Sequence, residues 1–276
     1  MFNVIIPAHN EADFIGATLE GLLAQDARAP EDLRVIVAAN GCSDRTAEIA
    51  RSFASSFASR GWDLVVLDIP EGGKPNALNR ADARAGAGPR AYLDADVVCS
   101  PALLGLIARA LDVPGPRYAS GIFTIVRPKS WASRQYARLW LKVPFMTTGM
   151  PGAGLFAVNE AGRARWQEFP PIIADDLFVR LNFAPSERVR VKAPFTWMLA
   201  EGFGALVRVR RRWDTGNRQL MDLRPDLAAN EEKAPVSLRD HLRLFAGQPV
   251  SYIVYVAVAV ASKLKVYDRA SWARGR

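Results

Sequence analysis

Asp94 and Asp96 stand two residues apart at the end of an apolar run, and a second acidic pair, Asp175 and Asp176, follows the apolar Ile172, Ile173 and Ala174. Two carboxylates on one side of an extended run repel unless a hard divalent cation lies between them or one takes a proton. Mg2+ or Mn2+ held by few protein oxygens completes its shell with water and substrate phosphates. Lys74 follows Gly72 and Gly73 and precedes Pro75, a setting suited to a phosphate or a sugar hydroxyl. Asp175 and Asp176 open an amphipathic stretch. Either the helix dipole stabilises them there, or one is a general base tuned by its neighbour. Arg208, Arg210, Arg211 and Arg212 crowd the approach to Trp213. Guanidinium forks suit bidentate phosphate contacts, whereas a solvated helix would spread them around its circumference.

The elements that must position these groups alternate between two periods. Residues 2–6, 33–39, 63–68 and 90–94 are apolar runs of strand length. Between them, helical spacing joins Ile15, Leu19, Leu22 and Leu23, then Ala50, Phe53, Ala54 and Phe57. Pro75 opens a helix to about Ala85, and Ser100 caps one carrying Leu103, Leu104, Ile107 and Leu111. Such alternation predicts an α/β fold with a parallel sheet covered on both faces. Ligands then sit at the carboxyl ends of the strands. The four loops on that edge carry Pro7, Ala8, His9, Asn10 and Glu11; Asn40 to Asp44; Gly72 to Asn79; and Asp94 to Asp96. Asn10 and Glu11 also suit a helix cap, and His9 reads as a packed loop residue.

Farther on the rhythm predicts a strand over 119–126 and an aromatic-rich helix through Trp131, Tyr136, Leu139 and Trp140. A strand follows Gly152 and Gly154, Asn159 caps the next turn, and a helix spans 175–183. From residue 205 the chain is basic and mostly helical. With no repeat or low-complexity linker, the organisation expected is a catalytic domain at 1–204 and a C-terminal extension at 205–276.

The chain of 276 residues is 50% hydrophobic and 23% charged, which excludes a disordered or fibrous protein. Its net charge of +8 favours acidic partners: nucleic acid, phosphorylated ligands or an anionic membrane surface. Cys42 and Cys99 form no CxxC, and His9 and His241 are the only histidines, so a disulfide framework and a multi-histidine metal site are excluded. The N-terminal apolar run is too short for a signal peptide and lacks a basic lead, so a cytoplasmic location is expected.

Taken together, these residues resemble the family-2 glycosyltransferases, which bind nucleotide sugars on a GT-A fold. The motifs are VIIPAHNE at 4–11, VIVAANGCSDRTAEIA at 35–50, GGKPNALN at 72–79 and YLDADVV at 92–98. GAGLFAVN at 152–159, ADDLFVRL at 174–181 and RRRWDTGN at 210–217 follow in the family's order. The resemblance implies a Rossmann-like, mostly parallel sheet and an inverting sugar transfer. Pro7 to Glu11 and Lys74 would line the nucleotide pocket, Asp94 would contact ribose or sugar, and Asp96 would hold a divalent metal, Mg2+ or Mn2+. Asp176 would be the base, with Asp175 as alternative, and Gly152 and Gly154 would lie on the acceptor side. Asn40 replaces the family's usual aspartate, leaving uracil and guanine both open. Arg212 and Trp213 match a Gln-x-x-Arg-Trp signature whose Gln is Val209 here, which implies single rather than processive addition.

The partners implied are a UDP- or GDP-sugar donor and a carbohydrate or lipid-linked acceptor, as in cell-envelope or polysaccharide synthesis. Residues 250–261 would make a helix of about 18 Å against a hydrocarbon core of about 30 Å. That leaves a buried or oligomer-forming helix, or an interfacial one with Tyr252, Tyr255, Lys263 and Lys265 near anionic headgroups. A sugar nucleotidyltransferase would want a Gly-rich basic N-terminal loop in place of PAHNE. A non-catalytic sugar- or nucleic-acid-binding module has no need of both acidic pairs, so nucleic acid is not an expected partner.

Overall fold

The computed structural model describes residues 1–264, so the expectation for Lys265 lies outside the described residues. The strands are β1 (Phe2–Ala8), β2 (Leu33–Asn40), β3 (Asp63–Ile69), β4 (Arg90–Leu93), β5 (Val98–Cys99), β6 (Tyr118–Ile125), β7 (Leu155–Val158) and β8 (Arg188–Trp197). They form one sheet in the order β3-β2-β1-β4-β7-β6-β8-β5. β1 pairs parallel with β2 and β4, and β2 with β3, as the alternating pattern predicts. The far half mixes directions: β7 runs antiparallel to β4 and β6, while β6 and β8 are parallel. The fold is α/β with a mostly parallel sheet flanked by helices.

The helices are α1 (Ile15–Leu23), α2 (Thr46–Ser52), α3 (Ala54–Ser59), α4 (Lys74–Ala85), α5 (Leu103–Leu111) and α6 (Trp131–Trp140), followed by α7 (Pro144–Thr148), α8 (Glu160–Arg163), α9 (Asp175–Leu181), α10 (Phe203–Leu223), α11 (Leu238–Gly247) and α12 (Pro249–Lys263). The pleat explains why both sheet faces are covered. On β1, Val4 and Ile6 join a core with Leu19 and Leu22 of α1, Leu104 and Ile107 of α5, and Val254 and Val258 of α12. Ile5, pointing the other way, joins Ala77, Leu78 and Ala81 of α4 with Phe178 and Val179 of α9.

Several local expectations differ from the structure. Asp94 and Asp96 are not on an extended run: β4 ends at Leu93, and the Val97 N–H closes a turn onto the Asp94 carbonyl at 3.1 Å. Ser100 does not cap α5, which starts at Leu103; Gln25 instead accepts from the Leu104 N–H at 2.9 Å. At the entry to α1 the Glu11 carbonyl accepts from the Phe14 and Ile15 N–H groups, both at 2.9 Å, while Asn10 turns to the Ser43 N–H. The helix around Phe53 breaks there into α2 and α3. β8 alternates buried and exposed residues over 190–197, but Pro194 and a register shift opposite β6 interrupt its sequence signal.

Candidate active site

At the carboxyl edge of β1, β2 and β4 lies a cleft of about 360 Å³. Its floor is acidic. Gly73, at φ +131°, leads into α4, so Lys74 enters the cleft from the first turn. The Lys74 Nζ lies 2.9 Å from Asp94 Oδ1 and 3.0 Å from Asp175 Oδ2. It thereby ties the end of β4 to the start of α9. Burial opposes the Lys74 charge, but Asp175, Asp94 and Asp176 outweigh it and hold the ammonium above its ordinary value. Asp176 is half-buried beside them and accepts from the Leu177 N–H at 2.8 Å. Desolvation and the Asp175 charge push its carboxyl up to about 6, against the pull of Lys74. Desolvation also raises Asp175. This is the environment that turns a carboxylate into a base effective near neutral pH.

The turn bearing Asp94 and Asp96 is fastened from two sides. The Asp94 N–H donates to the Gly154 carbonyl at 2.9 Å, and the buried Thr18 hydroxyl donates to the Ala95 carbonyl at 2.7 Å. Both carboxylates line the cleft. Among the described residues no group of three or more His, Cys, Asp or Glu is arranged around a metal position. The donors present at this turn are hard carboxylate oxygens, a set that fits Mg2+ or Mn2+ completed by phosphate and water.

Above the floor, Pro7, His9, Glu11 and Asn40 form one wall. His9 Nδ1 lies 2.7 Å from the Asn40 carbonyl, which can only accept, so Nδ1 carries the proton. Asn40 is 1% exposed. Its amide donates to the carbonyls of Ala8 at 2.8 Å and Ala38 at 3.3 Å, and its Oδ1 accepts from the Gly73 N–H at 2.9 Å. Asn40 thus pins the glycine loop before Lys74 to the β1 edge. Ala8 and Asn10 stand behind this wall: Ala8 is buried, and Asn10, at φ +54°, accepts from the Ser43 N–H at 2.7 Å.

The opposite wall is aromatic and cationic. Trp213 stacks on Trp140 with centroids 5.3 Å apart, and Trp197 lies 6.1 Å from Trp140. Helical geometry divides the arginine run. Arg210 and Arg212 turn into the cleft, Arg208 is exposed, and Arg211 donates to the Ala261 and Leu264 carbonyls at 2.9 and 3.1 Å, closing the end of α12. Arg210 reaches the Tyr136 hydroxyl at 3.3 Å and lies over the Tyr255 ring at 5.1 Å. Buried Arg180 of α9 pairs with Glu231 at 2.7 Å.

Of the residues singled out from the sequence, Pro7, His9, Glu11, Asn40, Lys74, Asp94, Asp96, Asp175, Asp176, Arg212, Trp213 and Gly154 share this cleft. Gly152 does not line it; at φ +69° it shapes the approach to β7. Sequence reading missed Tyr136, Trp140, Trp197, Arg180 and Tyr255 as site residues. The aromatic density of α6 was the signal for Tyr136 and Trp140, but only the tertiary fold shows that it faces the carboxylates.

Comparison with known proteins gives the family and the fold. The sequence profile described as glycosyl transferase family 2 matches residues 3–165. A succinoglycan biosynthesis protein, ExoA, of Rhizobium meliloti (strain 1021) is 38% identical over 85 residues, 31% of this chain and 24% of that protein. Validoxylamine A glucosyltransferase of Streptomyces hygroscopicus subsp. limoneus is 28% identical over 117 residues, 42% of this chain and 25% of that enzyme. The matches therefore span about a quarter of each relative's length. In fold, the chain is similar to a mannosyltransferase from Pyrobaculum calidifontis solved with GDP-Man and Mn2+: TM-score 0.57, 22% identity, 96% of this chain and 76% of that one. Since the family profile runs from β1 through the glycine loop and the Asp94 turn to β7 and α8, the chain belongs to glycosyl transferase family 2.

Proposed function

We propose that this chain moves a sugar, with inversion, from a UDP- or GDP-sugar to a hydroxyl of a carbohydrate or lipid-linked acceptor in polysaccharide or glycolipid synthesis. The observation that carries the reading is Asp176, a carboxylate raised to about 6 at the mouth of α9, sharing one cleft with the Asp94–Asp96 turn. Pro7, His9, Glu11 and Lys74 border the nucleotide side. Asp94 meets ribose or sugar. Asp96 would hold a divalent cation, whose chemistry is neutralisation of the diphosphate leaving group.

Asp176 takes the proton of the acceptor hydroxyl, and the freed oxygen pair attacks the anomeric carbon as its bond to the diphosphate breaks. Lys74 holds Asp175 and Asp94 in register so that the base faces the sugar-binding turn. Arg212 and Trp213 close the far side, where a guanidinium meets phosphate oxygens. The GDP-Man and Mn2+ bound by the Pyrobaculum calidifontis mannosyltransferase support the donor class and the metal, and the similarity to ExoA, a succinoglycan biosynthesis protein, supports polysaccharide synthesis.

General-base help is typically worth about 10²–10⁴ in rate. Asp176→Asn is expected to lose that much turnover while binding nucleotide with little change. The test is nucleoside diphosphate release from a panel of nucleotide sugars, with and without Mn2+, beside calorimetric nucleotide titration. Near wild-type turnover in Asp176→Asn sinks the base assignment.

A further inference from the structure

The helices α11 and α12 bare an apolar surface that no other element of the described chain covers. Along α11, Leu238, Leu242 and Phe245 recur at i, i+4 and i+7 and are 76%, 62% and 46% exposed. No residue of α11 is buried, although the helix is amphipathic. α12 is two-sided. Ser251, Val254, Val258 and Ser262 pack inward, while Val250, Ile253 and Val260 lie outside, with Ile253 60% exposed. The two outer stripes are joined: the Phe245 ring meets Tyr252 edge-on at 5.5 Å, and His241 Nδ1 lies 2.9 Å from the Tyr252 hydroxyl.

We propose that this outer α11–α12 face docks on an anionic lipid bilayer. The charges around it select the occupant. Arg239 and Arg243, one turn apart on α11, fall beside its apolar stripe, and Lys263 closes α12. Leu, Phe and Val flanked by Arg and Lys is the pattern of a helix lying in the headgroup boundary. Anionic headgroups would neutralise Arg239, Arg243 and Lys263. No helix among the described residues is long and apolar enough to cross a membrane, so the contact is in-plane. Tyr255, on the same helix, lines the cleft. Tyr255 faces inward, away from the outer stripe, so docking would leave the cleft one helix away from the bilayer.

The test is cosedimentation of the full chain with vesicles of phosphatidylcholine alone and of phosphatidylcholine with phosphatidylglycerol, at low and high salt. Binding is expected to the mixed vesicles and to weaken with salt. Leu242→Glu with Phe245→Glu, and separately Arg239→Glu with Arg243→Glu, are expected to weaken it about tenfold or more. All four positions are exposed, and unchanged thermal unfolding shows that the variants fold. No binding to mixed vesicles, or equal binding by wild type and both variants, overturns the proposal. So does a dimer in sedimentation equilibrium that the same substitutions dissolve without any vesicle binding. Nucleoside diphosphate release from free nucleotide sugar, measured in parallel, separates failure here from failure of the catalytic reading.

Discussion

The Lys74 ammonium lies 3.0 Å from the Asp175 carboxylate, joining the first turn of α4 to the first turn of α9 across the cleft. Removing one partner of a buried ion pair costs about 3–5 kcal/mol, because the remaining charge is stranded. The Lys74 side chain is 27% exposed, so Lys74→Met is expected near the low end of that range, read from urea unfolding. Lys74 also lowers the Asp176 carboxyl. Its loss should therefore move the acidic limb of the pH–rate profile upward, and an unmoved limb contradicts the linkage.

Asp176 itself makes stability depend on pH. Its folded carboxyl sits near 6 against an ordinary 3.8, so between those values the folded chain binds the extra proton. Stability then falls as pH rises through that window. Asp176→Asn removes the half-buried charge and is expected to melt above wild type at pH 8. The difference should shrink as pH drops through 6 and vanish below about 4; thermal unfolding across pH checks it.

Asn40→Asp is expected to destabilise, although it restores the residue usual in the family. A carboxylate cannot donate to Ala8 and Ala38, and it sets like charge density against both carbonyls. Losing such buried hydrogen bonds costs about 1–3 kcal/mol. A denaturant midpoint equal to wild type would show that the pin is dispensable.

Gly152→Ala strains the backbone and the core together. At φ +69° an L residue costs about 1–2 kcal/mol. The added Cβ would also fall 2.0 Å from the Tyr118 hydroxyl. Tyr118 is wedged between Phe156 and Phe183 and cannot swing away. Gly115→Ala, where the space is open, should stay within about 0.5 kcal/mol, and calorimetry of the two variants decides.

The half of the protein from β1 to β4 was legible in the chain. β1 to β4 each announce themselves as a short apolar run, and in a parallel sheet the polar residue after each run must meet the others at one edge. Lys74, Asp94 and Asp96 therefore meet in one cleft, as the pattern of runs alone dictates. The far half was not legible for physical reasons. β8 interleaves Arg190 and Lys192 with Val191 and Ala193 and contains Pro194, a weak strand signal whose partner β6 lies some seventy residues back. The aromatic wall depends on α6, β8 and α10 meeting, and helical periodicity says which residues share a face without saying what that face opposes. Arg211 shows the limit: next to two cleft arginines, it serves helix α12 instead.

Because Val254 and Val258 are interior to the same core as Val4 and Val35, the last described helix is a rib of the fold. A shortened gene product ending ahead of Pro249 would unroof Tyr136 and leave Arg210 without its ring partner. Anyone trimming this protein for expression would be cutting into the wall of its cleft.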